Sequence, residues 1–248
     1  MARSARLGCI GQMDVIRSGS IWNELPTRRA QVVRRVCETV EREYGRPRFA
    51  NPKLPIDDLI YIVLSNKTTP NTARETFRKL KRRFSTWDAM VDGPLAEVRR
   101  ILKPAGLSDV KSRQLRGALR CIRRDFGKCS LNRLKQRSAD EAQQYLTSLP
   151  GVSDKVAKCV MMYTMNFDVL PVDAHVHRVA TRLGWTARKR ADQCHAELEA
   201  LIKPRYRIAF HVGCIAHGRS TCRPVQPKCE SCVIQQYCMY YKDRIDGH

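Results

Sequence analysis

Residues 149–185 read LPGVSDKVAKCVMMYTMNFDVLPVDAHVHRVATRLGW, and this stretch contains two predicted helix starts. The Pro150–Gly151 pair ends the preceding element, and Ser153 or Asp154 can cap the helix that follows, because short polar side chains accept backbone N–H bonds there. The apolar residues after this cap recur at helical spacing. Lys155 is therefore predicted to lie in the first turn of an amphipathic helix.

A second helix is predicted to begin after Pro171, with Asp173 as its N-cap and the apolar Val172 just before it. A carboxylate at an N-cap accepts backbone N–H bonds of the first helical turn. The sequence thus places an amine, Lys155, and a carboxylate, Asp173, each at the N-terminus of a helix. The simpler interpretation is a solvated lysine and an ordinary capping aspartate.

The other segments of the chain also have helical patterns. A nearly continuous apolar run follows Asp57 and Asp58, two acids that could cap a central buried helix. No β-hairpin signal such as Asn-Gly is present. We therefore predict an all-α protein, with further helices over residues 26–44, 72–84, 115–126 and 138–149.

The charge of the chain indicates the class of its partner. The 248 residues include 46 lysines and arginines against 24 acids, which gives a formal net charge of +22. This excess favours a polyanion, and nucleic acid is the first candidate. A ribosome-associated surface or a merely solvated one would have the same charge. No apolar run reaches the ~18 residues that a membrane span needs, so we predict no membrane partner.

Four cysteines near the end of the chain form the second strong pattern. Cys222, Cys229, Cys232 and Cys238 have the spacing C-x6-C-x2-C-x5-C. Four thiolates this close in sequence can surround a zinc ion or an iron–sulfur cluster, and four unrelated cysteines are the simpler alternative.

The other seven cysteines are scattered. Cys159 and Cys214 lie in apolar segments and are predicted to be core residues. The odd count and the lack of a signal peptide pattern indicate a reducing compartment. The expected location is the bacterial cytoplasm and nucleoid, or the nucleus or mitochondrion of a eukaryote.

Both patterns resemble one known family. Residues 149–157 and 172–179 are similar to the motifs of the helix-hairpin-helix, Gly/Pro-rich-loop, catalytic-aspartate superfamily (HhH-GPD) of DNA glycosylases, in particular its endonuclease III branch. This resemblance implies that Lys155 is the nucleophile, that Asp173 is the second catalytic residue, and that the four cysteines hold a 4Fe-4S cluster. It also implies a two-lobed fold: a helical barrel lobe of residues 48–167, and a cluster lobe formed by residues 1–47 and 168–248.

The resemblance implies several DNA contacts as well. Backbone N–H groups of the hairpin would hold a phosphate, and a leucine after a glycine would enter the duplex as a wedge. The predicted contacts are Lys67, Leu107, Gly151, Val152, Ser153, His175, Arg223 and Lys228. Lys67 replaces the family's glutamine, which faces the orphaned base. A phosphate contact is the alternative for Lys67, a core position the alternative for Leu107, and a structural role the alternative for His175.

The implied activity is removal of an oxidised pyrimidine from damaged double-stranded DNA by a monomeric glycosylase with AP lyase activity. The alternatives are a monofunctional mismatch, uracil or adenine glycosylase of the same fold, and a non-enzymatic iron–sulfur regulator that binds DNA. Three departures from the family pattern bear on the choice. They are Lys67, Ser153 in place of a glycine, and Asp154 beside the predicted nucleophile.

Overall fold

The computed structural model describes residues 26–45, 51–66, 68–106 and 108–246, and every regular element within these ranges is helical. The predicted all-α class is therefore confirmed. The α-helices in these ranges are α1 (Pro26–Tyr44), α2 (Pro55–Ser65), α3 (Pro70–Arg83), α4 (Trp87–Asp92), α5 (Leu95–Leu102), α6 (Ser108–Phe126), α7 (Ala139–Ser148), α8 (Asp154–Thr164), α9 (Ala174–Arg182), α10 (His195–Leu201), α11 (Pro204–Ser220) and α12 (Met239–Ile245).

Within the described ranges, no helix combines the length and the apolar character that a membrane span requires.

The start of α2 differs from the sequence prediction. The helix begins at Pro55 rather than at the two acids, with Leu54 in the N-cap position. Proline is favoured in the first turn because its missing N–H would have no intrahelical partner there. Asp57 instead accepts a bond of 2.5 Å from the Trp87 indole nitrogen, and Asp58 is fully buried. The prediction that these acids cap the helix was wrong.

The larger hydrophobic cluster lies around α2. Leu59, Ile60 and Leu64 are almost completely buried, and α2 packs against α3, α6 and α8. Apolar residues from Ile56 to Val169 complete this cluster. The sequence prediction of a central buried helix is confirmed, and we call the part of the chain from residue 51 to residue 169 the larger lobe.

A smaller hydrophobic cluster joins α1 to the C-terminal part of the chain. Helix α11 packs against α1 and α9. The Trp185 and Phe210 rings stack with centroids 5.3 Å apart, and both are buried. This smaller lobe contains residues 26–45 and 170–246. The lobe boundary after residue 167, which the sequence analysis gave, stays a prediction.

Buried polar contacts connect the two lobes. The Lys158 ammonium lies 2.6 Å from the Glu199 carboxylate, which also accepts a 2.6 Å bond from the Leu170 backbone N–H. Nearby, the Tyr163 hydroxyl and the His211 Nε2 atom are 2.7 Å apart. These contacts hold α8 of the larger lobe against α10 and α11 of the smaller lobe.

Candidate active-site cleft and cysteine loop

A cleft of about 1160 Å³ lies between the lobes and contains the two residues that the sequence singles out. Lys155 lines it from α8, and Asp173 lines it from the N-terminus of α9. The cleft is large enough to admit an extruded nucleotide, since small-molecule pockets commonly measure ~300–1,000 Å³. Its other polar lining residues include Asn51, Ser65, Asn66, Tyr163, His175, Arg190, Asp192, His195, His211 and Arg219.

The hairpin before α8 depends on one glycine. Gly151 has a φ of +78°, and a Cβ atom there would lie 2.7 Å from the Gln114 side chain. The backbone N–H of Val152 donates to the Leu149 carbonyl at 3.1 Å, which closes the turn. Ser153 then caps α8 by accepting a bond of 3.4 Å from the Val156 N–H. The serine that replaces the family's glycine therefore acts as the cap, and Lys155 becomes the second residue of the helix.

Asp173 is fixed by the first turn of α9. Its Oδ1 atom accepts backbone N–H bonds from His175 at 2.9 Å and from Val176 at 2.8 Å. The predicted cap is present. Because both bonds go to one oxygen, the carboxylate is held in a fixed orientation at the cleft wall, and the second oxygen is free of these cap bonds.

His175 reaches the cleft because Gly218 leaves room for it. A Cβ atom at Gly218 would lie 2.4 Å from the His175 Nδ1 atom and 2.7 Å from the Arg178 guanidinium. That guanidinium donates to the Gly218 carbonyl at 2.9 Å. Burial lowers the pKa of His175, the charge of Asp173 acts to raise it, and the charges of Arg178 and Arg219 act to lower it, with a net shift downward. His175 is therefore a neutral lining residue at neutral pH.

Two buried groups, Cys159 and His211, and the partly buried Tyr163 line the cleft near Lys155. Burial raises the pKa of the Cys159 thiol to about 11 and lowers the pKa of His211 to about 4. The Nδ1 atom of His211 is 2.9 Å from the Pro171 carbonyl. All three side chains are thus uncharged at neutral pH.

A carboxyl group lies in the wall behind the cleft. Asp58 on α2 is completely buried, and its Oδ1 atom accepts a bond of 2.6 Å from the Asn51 amide, which lines the cleft. Its Oδ2 atom is buried and has no hydrogen-bond partner among the residues that the structure describes. Burial raises the pKa of Asp58 to about 7, although the Asn51 bond and the charge of Lys155 both act to lower it.

One buried lysine connects the end of α2 to α6. The Lys111 ammonium donates to the Leu64 carbonyl at 3.3 Å and to the Asn66 carbonyl at 2.9 Å. Burial lowers its pKa. A cation is favourable at this position because the last carbonyls of a helix carry partial negative charge.

The four cysteines of the C-terminal pattern surround a single cavity. Cys222, Cys229, Cys232 and Cys238 all line it, and none is in a disulfide. The Arg182 guanidinium donates to the Cys222 sulfur at 3.1 Å and to the Arg223 carbonyl at 2.8 Å. Four free thiols around a mostly apolar space suit the sulfur-rich ligand set of an iron–sulfur cluster. Among the described residues, no three side chains of the metal-binding types converge as ligands of one ion.

Two cations border this cysteine loop. Arg223 and Lys228 are exposed, between the first and second cysteine of the pattern. The Lys228 backbone N–H donates to the Thr221 carbonyl at 3.0 Å, so the loop closes on the end of α11. The charges of Arg223 and Lys228 are therefore exposed to solvent on a constrained loop.

Comparison with known proteins gives the family. Residues 60–204 match the HhH-GPD superfamily of base excision DNA repair proteins. The chain belongs to this superfamily. The predictions of an endonuclease III-like fold and of a base-excision DNA glycosylase are thereby confirmed.

Relatives support this assignment at modest identity. The endonuclease III of Thermotoga maritima is 26% identical over 214 residues, which is 86% of this chain and 96% of that protein. The endonuclease III of Escherichia coli is 27% identical over 194 residues, which is 77% of this chain and 86% of that protein. An Arabidopsis thaliana protein that carries the name of a DNA glycosylase is 28% identical over 172 residues, or 68% of this chain, and the match spans only 58% of its length.

Solved structures of the superfamily have the same fold. An endonuclease III in a non-covalent complex with DNA superposes with a TM-score of 0.74 at 25% identity, over 88% of this chain and 98% of that one. A trapped covalent intermediate of endonuclease III with DNA gives a TM-score of 0.75 at 25% identity, over 87% of this chain and 98% of the other. A thermostable thymine-DNA glycosylase, 22% identical, has a TM-score of 0.74 over 86% of this chain and 98% of its own, and shares the fold.

The structure brings most of the predicted HhH-GPD site residues to the cleft. Lys155, Asp173, His175, Val152 and Ser153 line it, and Gly151 forms the adjoining turn. The predicted contacts Lys67 and Leu107 lie outside the described residues.

Several site residues were not found from the sequence. Asp58 was interpreted as a helix cap, and Tyr163, Asn51 and His211 were not identified. The sequence did contain a signal for His211, which lies among apolar residues of α11. A histidine buried in such a segment needs a hydrogen-bond partner. For Asp58 the signal was an acid within an apolar helical run.

Proposed function

We propose that this HhH-GPD protein is a DNA glycosylase with AP lyase activity that acts on oxidised pyrimidines. The observation that carries the proposal is that an amine and a fixed carboxylate, Lys155 and Asp173, line the same cleft from two helix N-termini. A regulator that only bound DNA would not need this pair. The endonuclease III–DNA complexes of the same fold support DNA as the partner.

The mechanism begins with the target nucleotide outside the helical stack. A base must leave the duplex before an enzyme group can reach its C1′ atom. The Lys155 nitrogen attacks C1′ with its lone pair, and the base leaves with the electron pair of the glycosidic bond. The resulting adduct opens to a Schiff base, as expected when an activated lysine meets a carbon at the aldehyde oxidation level. Elimination of the 3′-phosphate then breaks the strand.

Asp173 has an electrostatic role in this mechanism. Positive charge develops on the sugar as the base leaves, and a nearby carboxylate that is already oriented stabilises this charge. The two cap bonds from His175 and Val176 provide the orientation before substrate binds. The same carboxylate is in a position to assist proton transfers at the sugar.

The DNA backbone is proposed to contact the rim of the cleft. Backbone N–H groups at the Gly151–Ser153 hairpin lie at the start of α8, where a phosphate is favoured. Arg223 and Lys228 extend the positive surface to the cysteine loop. Lys67 and Leu107 are proposed to fill the space that the extruded nucleotide leaves, and one protein monomer is proposed to bind one lesion.

The cysteine loop is proposed to hold a 4Fe-4S cluster. Its support is the set of four free thiols around one cavity and the family membership of the chain. Cys222, Cys229, Cys232 and Cys238 would be the ligands. When bound, the cluster would tie together the loop that carries the two exposed cations, and Arg182 would donate a hydrogen bond to the Cys222 sulfur.

The proposal is tested first by trapping the Schiff base. Borohydride added during turnover should reduce the imine and link the protein covalently to a duplex with one thymine glycol. Lys155→Ala should abolish this product, while Asp173→Asn should bind DNA normally and lose most base removal. A trapped complex that persists in Lys155→Ala would place the nucleophile elsewhere.

The substrate class is tested by comparing single-turnover excision of different bases. Thymine glycol should be released faster than uracil opposite guanine, thymine opposite guanine, or adenine opposite 8-oxoguanine. Faster release of any of the last three would assign the protein to mismatch or deaminated-base repair instead. In that case Lys67→Gln, which restores the residue typical of the family, is the first variant to examine.

A further inference from the structure

Glu199 connects the helix that carries Lys155 to the segment that leads to Asp173. Its Oε1 atom accepts a bond of 2.6 Å from the Lys158 ammonium and another of 2.6 Å from the Leu170 backbone N–H. Lys158 follows Lys155 by three residues on α8, and Leu170 precedes Asp173 by three residues. One carboxylate oxygen therefore joins a position near the proposed nucleophile to a position near the proposed catalytic carboxylate.

His211 makes a second connection of the same kind. Its Nδ1 atom is 2.9 Å from the Pro171 carbonyl, which can only accept, so in the neutral ring Nδ1 carries the hydrogen. The ring is neutral at neutral pH because burial lowers the pKa of His211 to about 4. The Nε2 atom then accepts the bond of 2.7 Å from the Tyr163 hydroxyl on α8. Since Pro171 precedes Asp173 by two residues, His211 also joins α8 to the start of α9.

The segment that these bonds hold has no helix or strand of its own. Residues 165–173, all within the described ranges, have no regular secondary structure, so their buried peptide groups need partners from elsewhere. His195 shows that a single bond is enough for this purpose. Its Nδ1 atom lies 3.2 Å from the Leu170 carbonyl, and its Nε2 atom has no partner among the described residues. Glu199 and His211 differ from it because each makes a further bond to α8.

We propose that Glu199 and His211 are positioning residues, which set the place of the Asp173 carboxylate relative to the Lys155 amine. This inference rests on the proposed function, because it assigns how the proposed catalytic pair is held. The cap bonds orient the Asp173 carboxylate on α9, and the bonds of Glu199 and His211 fix the start of α9 against α8. Both residues act through the catalytic pair and not on the DNA. Such positioning matters because a displacement of ~1 Å can slow a reaction by ~10²-fold.

The test breaks these connections on the α8 side only. Tyr163→Phe removes the hydroxyl that bonds His211, and Lys158→Met removes the ammonium that bonds Glu199, while the bonds to the segment before α9 remain. The substrate is a duplex with one thymine glycol, or the duplex of the panel above whose base wild type releases fastest. Single-turnover release at saturating protein should slow about tenfold in each variant and on the order of 10²-fold in the double variant. The Kd for the duplex, measured separately, should stay within about twofold of wild type.

The same change is then made without the carboxylate that is to be positioned. In an Asp173→Asn background, Tyr163→Phe should slow the residual single-turnover rate by less than about twofold, because the effects of residues that act as a unit do not add. A general loss of stability would slow the reaction by the same factor in both backgrounds. The comparison therefore separates positioning of Asp173 from support of the fold.

Two further variants compare the rate with stability. Lys158→Met leaves the Glu199 charge unpaired, and adding Glu199→Gln removes that charge, so the melting temperature should recover in part. The rate of base release should stay low in this double variant, because α8 is still not connected to the segment before α9. Tyr206→Phe is the matched control for Tyr163→Phe. It also removes one hydroxyl, which bonds Glu38 of α1 at 2.8 Å, and it should keep the wild-type rate.

Three results would overturn the positioning role. They are wild-type rates in Tyr163→Phe and Lys158→Met, equal slowing with and without the Asp173 carboxylate, and a rate that recovers together with the melting temperature when Glu199→Gln is added. The single variants decide the question if the variant with both α8 bonds removed does not fold. A wild type that releases no base from any duplex of the panel and forms no borohydride-trapped imine would overturn the proposed function instead.

Discussion

The two lobes of this glycosylase are stabilised in different ways. The larger lobe encloses α2 within a continuous apolar cluster that is built from its own helices. The smaller lobe has a smaller cluster, and its last segments, the cysteine loop and α12, pack around a cavity lined by four thiols. The larger lobe therefore depends on side-chain packing, whereas the smaller lobe is proposed to depend on packing and, in addition, on a cluster held by its four cysteines.

The strongest test of this difference removes one cysteine ligand. Cys229→Ser should lose the iron and destabilise the smaller lobe by about 5 kcal/mol or more, since loss of a bound metal centre is among the largest single-residue effects. Iron and sulfide content and thermal unfolding would be measured together. Cys121→Ser, a partly buried thiol of the larger lobe, is the control. Unchanged stability in Cys229→Ser would mean that packing alone holds this lobe.

A core substitution in the larger lobe should have the next largest effect. Leu119 on α6 is almost fully buried, so Leu119→Ala removes contacts and leaves a cavity, at a cost of about 3–4 kcal/mol. Chemical denaturation would measure this loss, and iron content should stay at the wild-type level. Leu54→Ala is the matched control because Leu54 is 51% exposed, and it should change stability by less than about 0.5 kcal/mol. Similar losses in both variants would contradict the assignment of the core.

The junction between the lobes should be less sensitive. Lys158→Met removes one partner of the ion pair with Glu199 and should lower the free energy of unfolding by about 2–3 kcal/mol. This cost is at the low end for a buried pair because the Glu199 side chain is 20% exposed. Adding Glu199→Gln should recover part of the loss, since no charge then remains unpaired. Denaturant titration of the single and double variants measures both effects. A double variant less stable than Lys158→Met would show that the pair matters for its hydrogen bonds rather than its charges.

The smallest expected effect is on the acid sensitivity of the same junction. Burial lowers the pKa of His211 from 6.5 to about 4, so the unfolded state binds a proton that the folded state does not. The contribution of the neutral His211 to the free energy of unfolding is present in full above about pH 6.5 and is lost as the pH falls toward 4. Near pH 5 the loss should be on the order of 1–2 kcal/mol. His211→Gln should reduce the difference between melting temperatures measured near pH 7 and near pH 5. If the variant is as sensitive to acid as wild type, His211 does not link pH to the junction. His177→Gln, at a partly exposed position on α9, is the control.

Local sequence signals predicted the helices well and the buried polar groups poorly. The bounds of α1 and the Asp173 cap were predicted as observed, because helical spacing and capping depend on residues a few positions apart. The prediction for α6 began at residue 115, whereas the helix starts at Ser108, because its polar first turn has no apolar periodicity to detect.

Asp58 shows the limit of sequence reasoning most clearly. An acid beside a helix start is usually a cap, and only the packing of α2 against α8 turns it into a buried group. The pairing of Tyr163 with His211 likewise joins residues of two lobes that are far apart in sequence. Such contacts depend on tertiary structure, and no local pattern encodes them.

The Lys111 contacts have a mechanical consequence for the cleft. This one ammonium group bonds the carbonyls of Leu64 and Asn66. It therefore attaches the segment that ends α2 to helix α6. In the sequence, Lys67 comes directly after Asn66, and Leu107 comes directly before α6. If both residues contact DNA as proposed, Lys111 joins the segments on which they are carried, so the two contacts share one attachment point in the protein.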